Sequence, residues 1–256
     1  MNENPSQGRL ILKDGKTFTG HSFGAQVSAA GEVVFNTGNV GYPESLTDPS
    51  YFGQILVLTS PLIGNYGVPP DNVENGISRY LESSRLQIAG LIISDYSDEY
   101  SHWNSSRSLS DWLVQNDIPA LSGIDTRALT RRLREKGTVP GKILFGGEKM
   151  AYFNPDHHNL VEKVSIEQPV EYGSGPLRIG LLDCGCKFNI IRSLLKRGVQ
   201  VVRVPWNFEI QKIEINGLLI SNGPGNPKQC RQTINQIRQA MERNLPERWR
   251  IPSLVS

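Results

Sequence analysis

Short, β-rich apolar runs alternate with turn residues over the first quarter of the chain. Leu10-Ile11-Leu12, Thr17-Phe18-Thr19, Val33-Val34-Phe35 and Gln54-Ile55-Leu56-Val57-Leu58 predict strands, and Asp14-Gly15 between the first two is a hairpin signal. The period then changes. Residues 77–83 read as helical, 88–94 as a buried strand, 109–114 as a helix and 119–124 as extended chain. Residues 125–136 form a helix with matched ends: Asp125 as N-cap, Leu129 and Leu133 one turn apart on the buried side, Arg134 and Lys136 near the carbonyl end, and Gly137 as stop. Its basic residues read as a solvated face.

Turn chemistry fills residues 143–177, with a short strand expected at 161–166. The pattern divides the chain into an N-terminal domain over 1–150, a linker over 151–177 and a third region over 178–256. In that last region Ile179-Gly180-Leu181-Leu182, Val201-Val202-Arg203-Val204 and Leu218-Leu219-Ile220 are strand runs. Residues 190–197 have helical spacing between the first two, and a further helix is expected over 229–243. The fold class is therefore α/β: a strand-rich mixed α/β domain followed by the first part of an open parallel sheet. Ligands of such sheets collect beyond the carboxyl ends of the strands, where Asp183-Cys184-Gly185 and Ser221-Asn222-Gly223-Pro224-Gly225 fall. Gly223 and Gly225 flank a proline, so a stiff backbone offers two positions without Cβ, a geometry suited to an oxyanion hole.

Composition narrows the function classes. With 256 residues and 38% hydrophobic content the chain can hold one large or two ordinary domains. A net charge of +2 gives no support to a nucleic-acid partner, and no apolar run approaches bilayer length. Cys184, Cys186 and Cys230 show no zinc-type pairing, and no histidine follows His158 to activate a cysteine, so these read as structural thiols in a soluble, cytoplasmic protein. No metal site is expected. His102-Trp103 reads as core packing or interface, and His157-His158 as exposed loop residues. GxGxxG and Walker motifs are absent from the sequence, which argues against a nucleotide-binding α/β protein.

Ser221 to Pro227 resembles the oxyanion loop of class I glutamine amidotransferases, and the chain as a whole resembles the small, glutamine-hydrolysing subunits of carbamoyl-phosphate synthetase. The likeness is carried by Gly31-Glu32-Val33-Val34-Phe35-Asn36-Thr37-Gly38, Gly41-Tyr42-Pro43-Glu44, Thr47-Asp48-Pro49-Ser50-Tyr51, Pro61-Leu62-Ile63-Gly64-Asn65-Tyr66-Gly67, Ile124-Asp125-Thr126-Arg127 and Asp183-Cys184-Gly185-Cys186-Lys187. It implies that Ser50, Gly223, Gly225 and Lys187 bind glutamine across the domain interface. On the residues alone, Gly41 to Ser50 reads as a turn-rich loop and Lys187 equally as a surface lysine at a helix start. The resemblance further implies a large partner subunit, where ATP and a divalent metal act to make carbamoyl phosphate from bicarbonate for arginine and pyrimidine synthesis. This chain itself would hold no cofactor and would form a heterodimer with that subunit.

Two departures stand out. Asn226 replaces the aspartate usual in Gly-Pro-Gly-Asp-Pro, and the cysteine, histidine and glutamate of the family's triad are not found in the 256 residues. No residue is therefore assigned to catalysis, and the expectation is a chain truncated before the catalytic cysteine and inactive as a glutaminase on its own. The alternative is a non-catalytic docking or regulatory module for the synthetase subunit. Dropping one base from family-like codons for Pro-Ile-Phe-Gly-Ile-Cys regenerates Pro252-Ser253-Leu254-Val255-Ser256, so a frameshift before the cysteine elbow is a further expectation.

Overall fold

The computed structural model describes residues 6–242. In chain order its elements are β1 (Gln7–Leu12), β2 (Thr17–Ser22), β3 (Ala29–Asn36), α1 (Tyr42–Thr47), β4 (Gln54–Leu58), β5 (Val73–Glu74), β6 (Ile77–Ser78), β7 (Gly90–Ile92), α2 (Leu109–Gln115), β8 (Ala120–Ser122), α3 (Thr126–Lys136), β9 (Val139–Phe145), α4 (Leu160–Val164), β10 (Val170–Tyr172), β11 (Arg178–Asp183), α5 (Phe188–Leu195), β12 (Gln200–Pro205), β13 (Gly217–Ile220) and α6 (Arg231–Glu242). The fold is mixed α/β. Contacts divide it into two compact units: described residues up to Asn72 with Ser78–Pro155, and Val73–Ile77 with those from Asp156 onward.

In the first unit seven strands close a barrel in the order β1-β2-β8-β7-β4-β3-β9. Closure is made by β9, which returns antiparallel to β1 from Gly8↔Phe145 to Leu12↔Gly141 and so leaves no unpaired edge. Because strand side chains alternate, β4 serves two cores. Ile55 and Val57 join Leu10, Leu12 and the α3 residues Leu129 and Leu133, while Leu56 and Leu58 join Leu46, Leu109 and Leu113. Asp125 caps α3 by accepting the Ala128 N–H at 2.9 Å, and Gly137 ends it. The basic face of α3 is partly tied down: Arg132 and Lys136 both pair with Asp14 of the β1–β2 turn.

Five local expectations are corrected. Gly41 to Ser50 is not a loop throughout: Pro43 stands in the first turn of α1, which buries Tyr42, Leu46 and Thr47, and a 3-10 turn follows over Pro49–Tyr51. Residues 77–83 are not helical. Asn75 and Gly76, at φ 52° and 80°, make a two-residue turn that draws Ile77 and Ser78 into a hairpin with β5, and the Ser78 hydroxyl then accepts the Tyr80 and Leu81 N–H groups. The strand expected at 161–166 is the helix α4, since Leu160, Val161 and Val164 are buried on one face and Glu162 and Lys163 point outward. Residues 156–177, composed like a linker, carry α4 and β10 and group with the second unit. Of the two readings of His102-Trp103, core packing is excluded, since Trp103 is 85% exposed and His102, also exposed, sets its ring edge-on to Tyr66.

The second unit is built on a four-stranded sheet in the order β10-β12-β11-β13, with β11 parallel to β12 and β13 and with β10 antiparallel at one edge. Alternation again separates two layers. Leu181 and Val201 pack with Ile191 of α5, and Leu182, Val202 and Val204 pack with Ile237 of α6. The expected helix over 229–243 is observed as α6, while Arg243 and the 251–256 segment lie outside the described residues. Among the described residues no helix is long and apolar enough to cross a membrane.

Candidate functional site

The register pairs Asp183 with Pro205 and Leu182 with Ile220, so the turns after β11 and β13 leave the sheet side by side at its carboxyl edge. Asp183, with 0% exposure, organises the first turn. Its Oδ1 accepts the N–H groups of Gly185 at 2.9 Å and Cys186 at 2.7 Å, and its Oδ2 accepts Ile166 N–H at 2.9 Å. Arg203 of β12 completes the shell, with Nε at 3.0 Å and Nη2 at 2.7 Å from Oδ2. Burial opposes the charge on Arg203, but the adjacent Asp183 outweighs it and raises the guanidinium above its ordinary value.

Ser221 joins the two turns. Its hydroxyl accepts the Cys184 N–H at 2.9 Å and donates to the Asn222 carbonyl at 2.9 Å. Beyond it Pro224 is buried, while Gly223 and Gly225 on either side are exposed. A Cβ at Gly223 would lie 1.8 Å from the Cys184 carbonyl oxygen, so only glycine allows the loop to seat on the first turn. Gly225 has φ +76°, a left-handed conformation that side chains disfavour. Neither the Gly223 nor the Gly225 N–H has a hydrogen-bond partner among the described residues. The result is an anchored loop with two exposed main-chain donors, the equipment needed to hold a carbonyl or carboxylate oxygen.

The structure thus brings Gly223, Gly225 and the turn that ends in Lys187 to one strand edge. Lys187 is half-buried at the N-cap position of α5, its own carbonyl accepting the Ile190 N–H. Ser50 belongs to the first unit. It sits half-buried in a 3-10 turn over Pro49–Tyr51, its N–H donating to Asp48 Oδ1 at 2.9 Å. Asn226 keeps the turn role of the usual aspartate, because its Oδ1 accepts the Lys228 N–H at 3.0 Å.

The thiols are not poised as nucleophiles. Burial pushes the Cys184 thiol up to about 12, with Cys230 and Asp183 nearby adding to the effect, and burial also raises Cys230. Among the described residues no group of three His, Cys, Asp or Glu side chains is arranged to hold a metal ion. The sequence reading assigned no role to Asp183, Ser221 or Arg203. Asp183 had a usable signal in its place at a strand end before glycine, whereas Arg203 had none, since it interrupts a valine run without any local partner.

Similarity to known proteins follows the same division. Residues 180–247 match the class-I glutamine amidotransferase family. Over 93% of its length the chain is 51% identical to the multifunctional protein CAD of Squalus acanthias, covering 11% of that protein. It is 48% identical to the mitochondrial carbamoyl-phosphate synthase (ammonia) of Aquarana catesbeiana, covering 93% of this chain and 16% of the relative. The arginine-specific small chain of carbamoyl phosphate synthase from Chaetomium globosum is 45% identical, with 91% of this chain and 53% of the relative covered. The chain therefore spans about half the length of that small chain and a smaller part of the other two. A solved aminopeptidase from Aneurinibacillus sp. strain AM-1 overlaps at a TM-score of 0.33 and 10% identity, covering 72% of this chain and 40% of that one, a likeness that carries no argument. The description "Carbamoyl-phosphate synthase small chain, CPSase domain" matches residues 10–143, just over half of the 256, and the chain belongs to that family.

Proposed function

We propose that the chain is part of the glutamine-hydrolysing small subunit of carbamoyl-phosphate synthetase, and that it contributes Ser50, Lys187, Gly223 and Gly225 to glutamine binding. The observation that carries this reading is the loop with a buried Pro224 between two exposed glycines whose N–H groups have no partner among the described residues. Under it, Gly223 and Gly225 face the oxygen that becomes negative during amide attack, and the Lys187 ammonium neutralises the glutamine α-carboxylate. Nitrogen released from glutamine passes to a large synthetase subunit, which holds ATP and a divalent metal and makes carbamoyl phosphate. The two chains form a heterodimer in the cytoplasm. The thiolate and its base are not among these 256 residues, so the polypeptide by itself hydrolyses no glutamine.

The test uses the synthase that contains this chain. Gly225→Pro forces φ near −65° on a position at +76° and removes a donor. It lowers glutamine-dependent carbamoyl phosphate synthesis on the order of a hundredfold and spares ammonia-dependent synthesis. Unchanged glutamine use overturns the assignment. Cell fractionation checks the compartment, with a mitochondrial location counting against the cytoplasm.

One observation favours a second reading. A relative 48% identical over nearly the whole chain is named for ammonia, so the same sequence region occurs in a synthase whose name gives that nitrogen source. On this reading the chain is a docking or regulatory module for the synthetase subunit. It then raises ammonia-dependent synthesis by that subunit without binding L-glutamine.

A further inference from the structure

Arg203 lies in β12 among valines, where a charged side chain is seldom buried without a specific partner. Its side chain is 7% exposed, and its Nε and Nη2 meet the single oxygen Oδ2 of Asp183. The guanidinium also lies over the ring of Phe188, the first residue of α5, 5.8 Å from its centroid. The Asp183 carboxylate is therefore divided by task. Oδ2 is taken by Arg203 and by the Ile166 N–H, which leaves Oδ1 aimed at the Gly185 and Cys186 N–H groups.

A carboxylate turns easily about its Cβ–Cγ bond, and a guanidinium hydrogen-bonded to one of its oxygens restrains that rotation. If the carboxylate turned, Oδ1 would leave the turn it holds. That turn carries the Cys184 carbonyl on which Gly223 seats, and it leads directly into Lys187. We propose that Arg203 is a positioning residue: acting through Asp183, it fixes the turn over residues 184–187, and with it the seat of the Gly223-Pro224-Gly225 loop, in the ligand-receiving form. The ligand in question is glutamine only if the reading above holds; the positioning role stands on the Asp183 geometry.

The experiment compares the 256-residue chain with Arg203→Met, which keeps similar bulk without the charged fork, and Arg203→Lys, which keeps the charge. Amide hydrogen exchange is read by 15N NMR, and L-glutamine is then titrated. In R203M the Gly185 and Cys186 amides exchange on the order of tenfold faster than any change shared with sheet neighbours such as Val201 and Val202 accounts for. L-Glutamine binds on the order of tenfold more weakly, and R203K recovers most of both effects. Wild-type exchange at Gly185 and Cys186 in R203M overturns the proposal. Uniform loss of protection throughout the second unit also overturns it, because Arg203 would then only stabilise the sheet. A wild-type chain that ignores L-glutamine overturns the glutamine reading, whereas a local change at Gly185 and Cys186 still supports the positioning role.

Discussion

The side-chain amide of Asn226 donates to Oδ1 of Asp156 at 3.3 Å, and its other end accepts the Lys228 N–H. An aspartate at 226 would keep the second bond and set a carboxylate against a carboxylate in place of the first. Asn226 is thus matched to Asp156. Asn226→Asp lowers stability at pH 7 by about 0.5 kcal/mol, the scale of an exposed charge pair. Urea unfolding measures it, and Asp156→Asn in the same chain recovers the loss through a coupling in the double-mutant cycle. Equal stability of N226D and wild type contradicts this.

Removing Asp183 leaves a buried guanidinium with its principal counter-charge gone, along with three N–H groups that lose their acceptor. Breaking a buried pair from one side costs about 3–5 kcal/mol. Asp183→Ala therefore lowers the thermal midpoint of the second unit strongly, whereas Arg203→Met is milder because the carboxylate keeps its three backbone donors. Differential scanning calorimetry resolves the order, and a larger loss in R203M than in D183A would refute it.

Asp14 supplies a pH dependence. Burial opposes its ionisation, but the Lys16 backbone N–H, Lys136 and Arg132 outweigh that and hold its carboxyl below the ordinary value of 3.8. A folded value below the unfolded one contributes stability that is present above about pH 4 and is lost as pH falls through the folded value. Asp14→Asn is accordingly less stable than wild type at pH 7, and the two converge as pH falls through the folded value of Asp14, as followed by denaturant unfolding across the acid range. A gap that persists at low pH would exclude this charge effect.

All three thiols are buried, and those of Cys184 and Cys230 are pushed upward. Little thiolate forms near neutrality, and reagents reach it only through opening of the structure. Iodoacetamide at pH 8 leaves Cys184, Cys186 and Cys230 of the native chain unmodified over minutes and labels all three in urea, as read by mass spectrometry. Fast native labelling of Cys184 would show a more open turn than the one described.

Local patterns made much of this molecule legible. α3 is specified by residues within one turn of each other: Asp125 reaches Ala128, Leu129 and Leu133 share a face, and Gly137 stops the chain. The Gly223-Pro224-Gly225 loop was legible for the same reason, because two missing side chains and a fixed proline φ are local facts. Asn75-Gly76 is just as local a signal for a hairpin, and the hairpin it makes stands where apolar spacing over 77–83 predicts a helix, so turn chemistry prevails over periodicity in a short segment.

The sequence by itself determined the strand runs, the capped helix α3 and the glycine-flanked loop, since backbone preference and side-chain alternation act between near neighbours. Tertiary structure alone decided that β9 closes the barrel on β1, more than a hundred positions away, and that residues 73–77 group with the second unit. It also decided that Arg203 meets Asp183 across two parallel strands. Such pairings depend on which distant surface a strand or charge is buried against, and no residue carries that information until the chain has folded around it.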